Sequence, residues 1–313
     1  MLRVVVRRLL WSVPLVVVAT ALSFVLIALV PGDAAHAILG PIATPAQAHA
    51  LQLQLGLDKP LLTQYGDWIS QAIRGDLGSS IFTGQSVTTE LNQHLQVTLS
   101  LLILGTLASA VIGVALGTAA AVRGGAVGKA VDVLSLAGLA IPNFWLALVL
   151  VAVFAVGLRL FPVVGYVSIT DSPLRWAQSL VLPVAALGLG SSTVIAKQTR
   201  DSLRQVLDQD FVRTLRANGF SHRSILYRHA LRNAGIPVLT VIGVVFVSLI
   251  GGTVFVEQVF AMPGLGSQAV EATTQHNLPV IQGVVVYFTL LVVVVNLVTD
   301  LCYAALDPRV RTG

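Results

Sequence analysis

The sequence predicts an all-α polytopic membrane protein with six transmembrane helices and both termini on the cytoplasmic side. Three observations carry this. The chain is 55% hydrophobic and only 11% charged, with a mean hydropathy of +0.85, whereas soluble domains average about 25% charged residues. Six apolar runs with uncharged interiors are long enough to cross about 30 Å of hydrocarbon. The basic residues sort to one side of those runs, as cytoplasmic loops retain Lys and Arg.

The first run, 9–30, follows Arg3, Arg7 and Arg8. A secretory signal ending at Ala35-His36-Ala37 is the competing reading, but the run exceeds the roughly 7–15 residues of a signal core, so it reads as a retained first span. An outer helical segment over 31–97 follows. In it Thr44 and Pro45 start a helix that Gly56 ends, and a second helix over 61–73 stops at Gly75. Asp76-Leu77-Gly78 then turns the chain toward Val87–Leu95. The second span, 98–122, carries Ser109, Gly113 and Gly117 at one-turn intervals, which suits close helix packing. The third, 131–156, and the fourth, 179–196, have Pro142 and Pro183 near their starts. A basic inner loop over 197–235 holds two short helices: Asp210 caps 211–218 before Gly219, and Ser221 caps 222–233. Spans at 236–256, with Pro237 at its entrance, and 280–303 complete a single membrane domain over 1–313.

This order places Arg3, Arg7, Arg8, Arg123, Lys129, Lys197, Arg200, Arg204, Arg213, Arg216, Arg223, Arg228, Arg232, Arg309 and Arg311 inside. Only Lys59, Arg74, Arg159 and Arg175 remain outside: fifteen against four. The net charge of +5 therefore reports topology. The inner helix-turn-helix has no room for a duplex, because both its ends run into spans, and no nucleic acid is expected.

The span interiors lack the ionisable residues that proton- or ion-coupled transport needs. Gly124-Gly125-Ala126-Val127-Gly128-Lys129-Ala130 lacks the glycine spacing of a phosphate-binding loop and has Ala130 where Ser or Thr would hold magnesium. Gly264-Leu265-Gly266-Ser267 is a turn between spans, without a Rossmann unit around it. The histidines are scattered without ligand spacing, and the single Cys302 has no partner cysteine, so no metal or catalytic set is expected. Asn143, Asn296, Thr106 and Ser109 are polar groups at membrane depth, facing other helices or a wet path; Asn143 and Asn296 are the pathway candidates.

The inner loop reads Asp210-Phe211-Val212-Arg213-Thr214-Leu215-Arg216-Ala217-Asn218-Gly219, then Arg228-His229-Ala230-Leu231-Arg232-Asn233. It closely resembles the cytoplasmic coupling loop of ABC-importer permeases, specifically the B-type subunit of dipeptide and oligopeptide permeases. Val30-Pro31-Gly32-Asp33, Leu55-Gly56-Leu57-Asp58-Lys59-Pro60-Leu61, Arg74-Gly75-Asp76-Leu77-Gly78 and Ile141-Pro142-Asn143-Phe144-Trp145 agree in order with that family. So do Glu257-Gln258-Val259-Phe260, Pro263-Gly264-Leu265-Gly266 and Leu306-Asp307-Pro308-Arg309. The departures are Arg213-Thr214-Leu215, where the wider family starts Glu-Ala-Ala, and Leu215 and Asn218, where the peptide branch usually keeps alanine and lysine.

The resemblance implies a type I ABC-importer-like permease fold, in a multi-pass protein of the bacterial cytoplasmic (inner) membrane. It implies a second homologous permease subunit, two ATPase subunits or domains that carry ATP and Mg, and an extracytoplasmic solute-binding protein. This chain itself would hold no cofactor and would not be an enzyme. ATPase coupling would fall to Asp210, Phe211, Arg213, Leu215, Arg216, Gly219, Phe220, Ser221 and Arg223, and outer docking or gating to Glu257, Phe260, Pro263, Gly264 and Gly266. The solute would be a dipeptide, an oligopeptide or a related compound. A stand-alone secondary transporter or channel is the alternative, opposed by the uncharged spans.

Overall fold

The computed structural model describes residues 2–29, 38–40, 44–56 and 58–306. The described residues are helical apart from connecting turns and one isolated bridge between Ser79 and Ser86. In chain order the helices are α1 (Leu2–Ala28), α2 (Pro45–Leu55), α3 (Leu61–Ala72), α4 (Val87–Arg123), α5 (Gly125–Ala140) and α6 (Asn143–Leu150). They continue as α7 (Pro173–Leu207), α8 (Asp210–Ala217), α9 (His222–Val259), α10 (Leu265–Thr274) and α11 (Leu278–Leu306). Val30-Pro31-Gly32-Asp33, the Ala35-His36-Ala37 site and Asp307-Pro308-Arg309 lie outside the described residues.

Among the described residues, five helices are long and apolar enough to cross a membrane: α1, α4, α7, α9 and α11. A sixth span exists only if α5 and α6 are taken together, and that pair is bent by 100°. The expected continuous span over 131–156 is thus broken at Ile141-Pro142. A residue before proline is pushed out of the helical region, and Ile141 is extended, with φ −87° and ψ 117°. After Leu150 the helix widens into a π-turn over Val151–Gly157.

Several helices overrun their expected ends. At 1.5 Å per residue α4 is about 55 Å long, well beyond the hydrocarbon. The short helix expected over 222–233 is the start of α9, because nothing between Asn233 and Pro237 stops it. Pro237 and Pro183 stand inside α9 and α7 rather than at their entrances.

The chain gathers into two compact units, one built mainly on Leu99–Met262 and the other on Arg3–Thr98 with Pro263–Val293. Small residues organise the first. A Cβ on Gly113 would lie 2.7 Å from the Ser192 carbonyl oxygen, and one on Gly117 would collide with the carbonyl of Ala196. Ser109, one turn earlier, donates to the carbonyls of Gly105 (2.6 Å) and Gly188 (3.2 Å). On α5, Ser135 donates to the Thr193 carbonyl at 2.9 Å, and Gly138 faces Gly190. Lipid gives helices no hydrophobic reason to associate, so close approach through small residues and hydroxyl bonds supplies the attraction. α7 receives both sets.

In the second unit Leu77, Val87, Leu91, Leu265, Ala272, Val280, Ile281 and Val284 form the core. Thr44 and Gln47 cap α2 reciprocally, and Gly56 ends it at φ 66°. α3 is tied to α1 by Tyr65, whose hydroxyl lies 3.0 Å from the Thr20 hydroxyl, inside a ring cluster with Phe24 and Trp68.

Candidate functional site

The candidate site is the turn between α7 and α9, which carries α8. Gln209, not Asp210, occupies the N-cap position of α8; Asp210 is its first residue and pairs with Arg213 at 3.2 Å on the surface. A carboxylate in the first turn complements the positive helix end. The helix ends in a Schellman turn: Gly219 N–H donates to the Arg216 carbonyl and Phe220 N–H to that of Leu215, with Gly219 at φ 78°. Ser221 then caps α9, accepting from Ser224 N–H at 3.3 Å.

This geometry divides the apolar residues of the turn. Val212 is fully buried, and Phe211 packs against a core of Leu203, Val206, Leu226, Ala230 and Ala234. Phe211 therefore anchors α8 to its own chain and is not a free knob. Leu215 is half-buried. Phe220 remains 45% exposed, its ring held edge-on to His229 at 5.8 Å. Tyr227, 66% exposed, was not among the expected site residues. The sequence signal for it was an aromatic ring beside Arg228, obscured because a π-turn over Ile225–Ala230 resets the helical register there. Arg213, Arg216 and Arg223 are all exposed. The result is one exposed ring on a turn that also exposes three arginines, a combination suited to a groove on another protein.

The other expected residues lie elsewhere. Glu257 and Phe260 are buried at the end of α9, where Ala261 takes the left-handed position (φ 48°) and Met262 N–H returns to the Glu257 carbonyl at 2.8 Å. Phe260 also accepts from Gly165 N–H at 2.8 Å. Gly264 and Gly266 are buried at the start of α10, where Leu265 N–H donates to Thr98 at 2.8 Å; Pro263 is exposed, and its carbonyl meets His94. Asn143, just past the bend, is half-buried between Gly190 and Gly252, whereas Asn296 on α11 is exposed. The residues around Gly124 do not suit a nucleotide. α5 starts at Gly125, and the guanidinium groups of Arg200 and Arg204 lie against Gly128.

The sequence matches two family models that together span the chain. Residues 109–312 match the binding-protein-dependent transport system inner membrane component, and residues 1–102 match the N-terminal part of such membrane components. The chain belongs to this family. It is therefore a permease subunit of an ATP-driven importer, a multi-pass component of the bacterial inner membrane, and the stand-alone transporter reading falls away. Among its relatives, a putative peptide transport system permease of Brucella abortus is 40% identical over 99% of both chains. The oligopeptide transport system permease of Bacillus subtilis is 36% identical over 98% of both. The glutathione transport system permease of Escherichia coli is 38% identical over 99% of both. In fold, the permease resembles a chain of the MetNI methionine ABC transporter in inward-facing conformations, with a TM-score of 0.57 at 19% identity, covering 70% of this chain and 97% of that one.

Proposed function

We propose that this permease pairs with a second, homologous permease to form the pathway for a peptide-like solute, and that separate ATPase subunits seat on the α8 turn. The observation that carries the reading is Phe220, exposed at the tip of a turn whose other aromatic residue, Phe211, is spent on fixing the turn to the protein body. A rigid element of this kind transmits displacement from a moving partner because it cannot absorb it locally. Arg213, Arg216 and Arg223 give orientation and Phe220 the desolvated contact, while ATP and Mg stay on the partner. The charge bias puts this turn, and both termini, in the cytoplasm, with residues 44–86 outside.

Purification of the tagged permease from native membranes should recover a second permease and ATPase subunits. Phe220→Ala should weaken ATPase association about thirtyfold, the effect of losing about 2 kcal/mol at an interface anchor, without lowering the melting temperature of the permease. Wild-type coupling in that variant would sink the proposal.

The solute is inferred to be a dipeptide or oligopeptide, since the relatives above are named for peptide, oligopeptide and glutathione transport. Competition by unlabelled dipeptides for solute uptake, in proteoliposomes supplied with the cognate binding protein, tests this; failure of every peptide to compete would refute it. For the gate we assign Pro263 as the exposed contact of an external binding protein. Glu257, Phe260, Gly264 and Gly266 act from inside by shaping the turns on either side. Pro263→Asp should weaken binding-protein capture, while Glu257→Gln should impair transport with capture intact. The reverse pattern would reject the assignment. Asn143 is retained as the pathway residue and Asn296 as the weaker candidate; unaltered uptake in Asn143→Leu would remove the first.

A further inference from the structure

Near the α8 end of the first unit, a crevice of about 410 Å³ opens between α4, α7, α9 and α11. Val114, Leu203, Leu231, Val238, Ile242 and Cys302 are among its walls, and its lining is almost wholly apolar. All four helices pass the length and hydropathy test for spanning a membrane. From Leu231 to Ile242 the wall on α9 advances about 16 Å, close to one half of a bilayer core of about 30 Å. An open apolar slot of that length, at that depth, matches a single acyl chain.

The charges at the crevice mouth identify the headgroup. Arg228 and Arg232 are exposed and flank Leu231, the first wall residue on α9, whose row continues to Gly235 and Val238. The basic residues at this end of α7 are engaged. Lys197 pairs with Asp201, Arg200 with Asp132, and Arg204 reaches the Ala120 carbonyl at 3.4 Å. Arg228 and Arg232 have no carboxylate partner among the described residues. Basic groups at the mouth of a slot between spanning helices select anionic lipids.

We propose that this crevice holds one acyl chain of an anionic phospholipid, with its phosphate between Arg228 and Arg232. The lipid thereby wedges the start of α9 against α7 and α11, beside the turn that meets the ATPase. The test uses the intact transporter purified in mild detergent, with bound lipid extracted and quantified by mass spectrometry. Phosphatidylglycerol should be enriched over phosphatidylethanolamine, and an Arg228→Gln/Arg232→Gln variant should lose that preference by about fivefold per arginine. Leu239→Trp, which fills the slot, should displace both lipids from it. Cys302, the only cysteine, gives a check on unmutated protein: a photoreactive maleimide placed on it should crosslink to lipid. Crosslinking into either permease chain instead, or a lipid preference unchanged in the double variant, would overturn the proposal.

Discussion

Single residues decide how closely these helices meet. Gly117 has the Ala196 carbonyl where a Cβ would sit, whereas Gly251 has open space. Gly117→Ala should therefore cost about 1–3 kcal/mol through forced separation of α4 from α7, and Gly251→Ala should be neutral, as read by thermal unfolding of the purified transporter. The Ser109–Gly113–Gly117 series was legible in the sequence because its spacing alone makes a stripe. Its partner was not, since Ser192 and Ala196 differ little from other small residues until α7 is laid against them. The same contrast separates the asparagines. Both are polar residues at membrane depth in the sequence, but Asn143 is packed between two glycines and Asn296 is left on the surface. Ala261 shows a cost the sequence concealed. Its left-handed backbone is a position glycine usually fills, so Ala261→Gly should relieve strain and raise stability by up to about 1 kcal/mol in the same measurement.

At the scale of elements, caps other than that of α8 were readable and interruptions were not. Thr44, Gly56, Gly75, Gly219 and Ser221 act at helix ends because each supplies a local bond or backbone angle that needs no distant partner. Ser221→Ala should loosen the start of α9 by about 1 kcal/mol, seen as faster hydrogen exchange over His222–Ile225 with the rest of the helix unchanged. Gly219→Val should be more damaging, because a β-branched residue at φ 78° disfavours the Schellman turn that presents Phe220; ATPase association should fall while α7 and α9 keep their protection. Pro142 and Pro237 look alike in the sequence, each near the entrance of an apolar run. The chain breaks at the first, where Ile141 turns extended, and continues through the second. Proline forbids one hydrogen bond in either case, and the packing around it determines whether the helix survives the loss.

For the whole molecule, the positive-inside count yields a direct test of topology. With Cys302 replaced by serine, a membrane-impermeant maleimide added outside should label Leu62→Cys, whose parent side chain is exposed on α3, and spare Asn218→Cys on the α8 turn until the membrane is opened. Reversed labelling would move the termini and the proposed ATPase contact to the other side. The sequence alone determined that the chain is helical and membrane-embedded, how its apolar runs are ordered, where most of its caps fall, and which family it resembles. Each of these follows from local composition, from spacing along one helix, or from a row of motifs in fixed order. Only the tertiary structure decided that Phe211 is an anchor and Phe220 is exposed, that the run over 131–156 is bent, that Glu257 is buried, and that an apolar slot opens beside two exposed arginines. Those properties depend on which face of one helix meets another, and the register between distant segments is a product of packing.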